Sequence, residues 1–201
     1  MIILGLTGSI AMGKSTVAAM FEEAGVPVHD ADAAVHRLMA PDGKAFAEIT
    51  AAFADVLDAD GRIDRQALGR AVFGDAAKRQ QLEAILHPLV RADRQAWLDG
   101  LAAVGTPLAV LDIPLLYETG GAADCDAVVV VSATPRLQKN RAMRRPGMTA
   151  EKFQSILKAQ LSDDEKRRRA DYIIPTAFGE TASRFYVDRL IRDLREKNSD
   201  A

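Results

Sequence analysis

Cysteine is nearly absent: Cys125 stands alone, which excludes a disulfide framework within the chain and any cysteine pair for a metal. A lone thiol suits a reducing compartment, so a cytoplasmic location is expected. Histidine is also scarce; the three are scattered, and His87 has no candidate ligand at a metal-site spacing. Charge of one sign is missing too. Lysine and arginine total 26 against 28 aspartates and glutamates, a formal net charge of -2, so nothing draws the chain toward nucleic acid or an acidic membrane. No apolar run approaches the ~18 residues of a membrane helix. The opening Met1-Ile2-Ile3-Leu4-Gly5-Leu6 is apolar but lacks a basic leader, so a signal peptide is not expected. Internal repeats and low-complexity stretches are absent.

What is present is ordinary globular material: 48% hydrophobic and 27% charged residues over 201, enough for one compact domain with a small insertion. Short apolar runs at residues 2–6, 26–29, 108–111, 127–131 and 172–174 read as buried parallel strands. Helical stretches alternate with them, residues 15–24 directly after the first strand and a long amphipathic segment with Leu82, Ile85, Leu89 and Trp97 before the third. This alternation predicts an α/β sheet. Residues 33–103 are too many for one crossover helix, and Pro41-Asp42-Gly43 and residues 58–61 punctuate them as turns, which predicts a small helical subdomain. Arg144-Arg145-Pro146-Gly147 breaks two helical patterns beside a charge cluster. The tail from Glu196 is expected to fray.

Gly8-Ser9-Ile10-Ala11-Met12-Gly13-Lys14-Ser15 fits the phosphate-loop pattern G-x-x-x-x-G-K-[ST], with an apolar strand before it and a helix from Thr16 after it. Gly8 and Gly13 allow the backbone to turn its amides inward, so that N–H donors and a helix N-terminus face the β-phosphate. Lys14 adds a charge for the β- and γ-phosphates, and Ser15 offers a hydroxyl to Mg²⁺. Binding of a nucleoside triphosphate follows. A GTPase would carry an Asn-Lys-x-Asp element, which is missing, and motor ATPases are longer assemblies. Small-molecule kinases need an acidic residue near the acceptor hydroxyl and positive charge on a closing lid.

Both are found. His29-Asp30-Ala31-Asp32 closes the second strand at the carboxyl end of the sheet, where open α/β proteins bind ligands. One carboxylate can take the proton of an attacking hydroxyl; the other reading is a cap on the helix beginning near Ala33. Asp112 ends the third strand, either to hold magnesium through water or to make a strand-end turn. Arg141, Arg144 and Arg145, with Lys139, surround the Pro146-Gly147 break and can clamp transferred phosphates from a hinged cover. Lys166-Arg167-Arg168-Arg169 reads as a solvated helix face, and His87, before Pro88, as a helix-end histidine.

The chain resembles the dephospho-coenzyme A kinase family over nearly its whole length. The resemblance is carried by the phosphate loop with Leu6-Thr7 and Thr16, by Val28-His29-Asp30-Ala31-Asp32, Leu86-His87-Pro88-Leu89 and Asp112-Ile113-Pro114-Leu115-Leu116-Tyr117-Glu118. It continues in residues 141–145, Ala159-Gln160 and Ala170-Asp171-Tyr172-Ile173-Ile174. The resemblance implies a P-loop kinase related to nucleoside-monophosphate kinases, with parallel strand order 2-3-1-4-5. It implies a nucleotide core (1–32, 104–139 and 166–201), a helical coenzyme-A-binding region (33–103) and a lid (140–165). Asp32 matches the general base, Lys14 the loop lysine and Arg141 a lid arginine on the transferring phosphate; Thr7, Leu115, Leu116 and His87 fall in the substrate-binding set. Gly8, Ala11, Met12, Gly13, Lys14, Ser15, Thr16 and Arg145 fall in the ATP-binding set, and Ser15 with Asp112 in the magnesium set. Substrates would be ATP and dephospho-coenzyme A, with neither nucleic acid nor membrane as partner and a monomer plausible. Three departures stand out: Ala11-Met12 where Gly-Ser is usual, His29 where an aliphatic residue is usual, and Pro175-Thr176 where an Asn often follows the last strand. The rival readings are another small-molecule or nucleoside-monophosphate kinase and an ATP-binding switch without turnover.

Overall fold

A computed structural model describes residues 1–199, with side chains described through Glu196. The apolar runs become β1 (Ile2–Thr7), β2 (Val28–Asp30), β3 (Leu108–Asp112), β4 (Ala127–Ser132) and β5 (Tyr172–Pro175). They form a five-stranded sheet in the order β2-β3-β1-β4-β5. The pairs β1–β3, β1–β4 and β4–β5 are parallel, with Leu6 opposite Asp112, Thr7 opposite Val130 and Ser132 opposite Pro175. Parallel strands covered on both faces need side chains that are apolar on both, hence the unbroken Val128-Val129-Val130-Val131. Successive residues still divide between faces. Leu4, Leu6, Val129 and Val131 pack with α1 (Lys14–Glu23) and α9 (Glu180–Ser199) through Val17, Phe21, Val187 and Leu194. Val128 and Val130 pack on the other side with Leu116 and Tyr117.

The chain forms two compact units, Met1–His29 with the chain from Leu101, and Asp30–Gly100. The second contains α2 (Ala31–Leu38), α3 (Phe46–Ala52), α4 (Arg65–Val72) and most of α5 (Ala76–Ala103). Its own core gathers Leu38, Ile49, Phe53, Val56, Leu68 and Ile85. Here one expectation fails: His87 does not end a helix, because α5 runs through Pro88. Proline lacks one backbone donor and crowds the carbonyl four residues back, but a 28-residue helix held by core residues on both sides of it tolerates that local loss.

In the first unit, α6 (Pro135–Met143) and α7 (Ala150–Ala159) flank the Pro146-Gly147 break, and α8 (Asp163–Arg169) leads to β5. Helix α9 continues through Glu196 to Ser199, where fraying is expected from sequence; Asp200 and Ala201 lie outside the described residues.

Candidate active site

The phosphate loop joins β1 to α1, and two of its residues show why glycine is required. Gly8 passes so close to β4 that an added Cβ would lie 2.4 Å from the Val131 side chain and 2.9 Å from its carbonyl oxygen. Gly13 has φ 98°, a left-handed conformation at the cap of α1 that L side chains avoid. Ala11 is left-handed as well, at φ 60°, where an alanine costs on the order of 1 kcal/mol. The bulky side chain next to it is accounted for: Met12 is 1% exposed and joins the core between β4 and α1, its sulfur accepting from the Ala133 amide at 3.2 Å.

At the end of the loop Lys14 donates to Asp112 Oδ1 in an ion pair. Register explains the meeting, because Leu6, next to the loop, lies opposite Asp112 in β3. The Asp112 side chain is almost fully buried, so it is no simple strand-end turn residue. Ser15 and Thr16, in the first turn of α1, are exposed.

Arg141, in the last turn of α6, donates from Nη1 to Thr176 Oγ1 at 3.0 Å and from Nη2 to the Thr176 carbonyl at 2.7 Å. Thr176 Oγ1 in turn donates to the Met12 carbonyl at 2.5 Å. The residue after β5, a departure from the family pattern, thus joins an α6 arginine to the phosphate loop. Arg145 is exposed beyond the end of α6.

Thr7 is buried and donates to the Pro114 carbonyl at 3.0 Å. Leu115 is exposed in the turn after β3, whereas Leu116 is fully buried, facing Gly5 and β4. The solvated-face expectation for residues 166–169 is corrected here. Arg167, Arg168 and Arg169 are exposed, but Lys166 is fully buried, 2.8 Å from Glu118 Oε1 and 3.4 Å from the Pro114 carbonyl. Glu118 also accepts from the Leu161 amide at 2.8 Å. Burial pushes the Glu118 carboxyl up, but hydrogen bonds from Lys166 and Leu161 outweigh it and hold the group below the ordinary range. A run of four basic residues hides this because only one position per helical turn faces inward.

In the second unit, Asp30 caps α2, its Oδ1 accepting from the Ala33 amide at 3.0 Å. Asp32 lies in the first turn of α2, exposed and without a hydrogen-bond partner among the described residues. The two carboxylates therefore differ: Asp30 completes the helix, and Asp32 faces solvent. His87 is exposed on α5.

The model of the dephospho-CoA kinase family matches residues 2–179. The chain belongs to the dephospho-CoA kinase family. A dephospho-CoA kinase of Mesorhizobium japonicum is 55% identical over 195 residues, 97% of this chain and 98% of the relative. That of Novosphingobium aromaticivorans is 51% identical, over 98% and 96%. Among solved structures, TT1252 from Thermus thermophilus superposes with a TM-score of 0.83 at 34% identity, covering 96% of each chain. The family's enzyme from Campylobacter jejuni gives 0.64 at 25%, again over 96% of each. Shikimate kinase from Bacteroides thetaiotaomicron, at 16% identity and a TM-score of 0.50, shares the fold alone.

Proposed function

We propose that this kinase transfers the γ-phosphoryl group of ATP to the ribose 3′-hydroxyl of dephospho-coenzyme A, giving coenzyme A and ADP in the last step of coenzyme A synthesis. The observation that carries this reading is a family match spanning nearly the whole chain together with an intact phosphate loop, whose Lys14 is anchored on the strand adjacent to it. The acceptor oxygen forms a bond to the γ-phosphorus as the bond to the β,γ-bridging oxygen breaks, and Asp32 takes the hydroxyl proton. Its exposed carboxylate, without a hydrogen-bond partner among the described residues, supports that role, as Asp30, which caps α2, does not. Lys14 and the loop amides hold the β- and γ-phosphates, and Arg141 stabilises charge on the transferring group with N–H donors that Thr176 leaves unused. The Ser15 hydroxyl and the Asp112 carboxylate are hard oxygen donors of the kind that would hold Mg²⁺. The chemistry Mg²⁺ would supply there is compensating charge on the phosphates. Thr7 and the Pro114-Leu115-Leu116 turn belong to the acceptor side, with Leu115 exposed and Leu116 supporting the turn from within. His87 and the helical region 33–103 bind the coenzyme A portion, and residues 140–165, with Arg145, act as a lid over ATP.

The substrates are small molecules and the setting is the cytoplasm. No described helix is long and apolar enough to cross a membrane. The test is product analysis after incubation with ATP, Mg²⁺ and dephospho-coenzyme A: coenzyme A carrying phosphate on the 3′-oxygen is expected. Phosphate at another position, or preference for a nucleoside monophosphate in a substrate panel, overturns the assignment.

A further inference from the structure

Ile10, in the middle of the phosphate loop, is held at both of its backbone polar groups by glutamine side chains. Its N–H donates to Gln160 Oε1 at 3.0 Å, and its carbonyl accepts from Gln138 Nε2 at 3.0 Å. Gln138 belongs to α6 and is 6% exposed; Gln160 caps the end of α7. The backbone partners fix the orientation of both amides, since an N–H needs an acceptor and a carbonyl needs a donor. The next residue is the left-handed Ala11, which packs with Ile10 against Ala142, Phe153 and Leu157 of α6 and α7. An unsupported backbone would relax out of that conformation, and with it the inward amides of the loop.

We infer that Gln138 and Gln160 are positioning residues that hold the phosphate loop in its ATP-receiving shape and make that shape depend on the two helices flanking the arginine-bearing turn. The inference rests on the reading of the loop as an ATP cradle. It assigns a role to Gln160, which the family resemblance marks without explaining. It also accounts for an alanine where a glycine is usual, because the hydrogen bonds to Ile10 and the packing of Ala11 offset the cost of the left-handed alanine.

The glutamines act with opposite polarity, which makes the test specific. Gln160→Leu and Gln138→Leu are each expected to weaken ATP binding about tenfold by calorimetry, the loss of one partly buried hydrogen bond. The KM for dephospho-coenzyme A should stay within about twofold, since ordinary uniform binding of the other substrate is untouched. Gln160→Glu keeps an acceptor for the Ile10 N–H and should bind ATP more tightly than Gln160→Leu. Gln138→Glu presents a carboxylate to the Ile10 carbonyl and should be as weak as its leucine counterpart. Folded leucine variants that bind ATP normally overturn the inference. If a leucine variant does not fold, the two glutamate variants decide, and equal ATP affinity in both overturns it. An unsubstituted chain that binds no ATP overturns the reading of the loop itself, and this inference with it.

Discussion

At the scale of single residues, neighbouring groups of one chemical type divide into different duties according to what their backbone needs. Asp30 and Asp32 stand two residues apart, yet only Asp30 has an amide to satisfy. Asp32→Asn is expected to lower kcat by on the order of 10²-fold while leaving the melting temperature nearly unchanged. Asp30→Ala should instead cost about 1 kcal/mol of stability, the loss of a helix cap. Paired thermal melts and steady-state rates check both; an Asp32→Asn enzyme of normal turnover removes the base assignment. That a carboxylate waits after the second strand is legible in the sequence. Which of the pair is consumed by the helix is not, because either spacing is compatible with a cap until the start of the helix is known.

At the scale of elements, the turn after β3 and helix α8 are joined by the buried pair of Lys166 with Glu118. Removing one partner strands the other in a site with little water, so Glu118→Gln should destabilise the fold by roughly 2–4 kcal/mol near neutral pH. The folded-state carboxyl titrates below its unfolded value, so the unfolded chain binds more protons across that interval and stability rises with pH there. The pair's contribution is fully present above the ordinary range of a glutamate carboxyl and is lost as pH falls through the lowered folded value. Urea midpoints should therefore separate the variant from the unsubstituted chain at pH 7 and converge as the solution is acidified. A constant gap would place the effect in packing and not in charge.

At the scale of the whole molecule, a ligand that binds the folded chain alone must raise its stability. ATP at a hundredfold excess over its dissociation constant should add about 2.7 kcal/mol and lift the melting temperature by several degrees, without dephospho-coenzyme A. No shift under those conditions contradicts the phosphate-loop assignment. The sequence by itself determined the five strands, the helical region between the second and third, and the loop of Gly8, Gly13, Lys14 and Ser15. Each is written in local terms, as an apolar run, a helical period or a steric demand for glycine, and can be read without knowing what lies opposite. Only tertiary structure decided that Lys14 meets Asp112, that Arg141 engages Thr176, that Lys166 is buried beside Glu118, and that two glutamines hold Ile10. These partners lie 35 to 150 residues apart in the chain. Strand register and helix facing bring them together, and no short-range pattern records either.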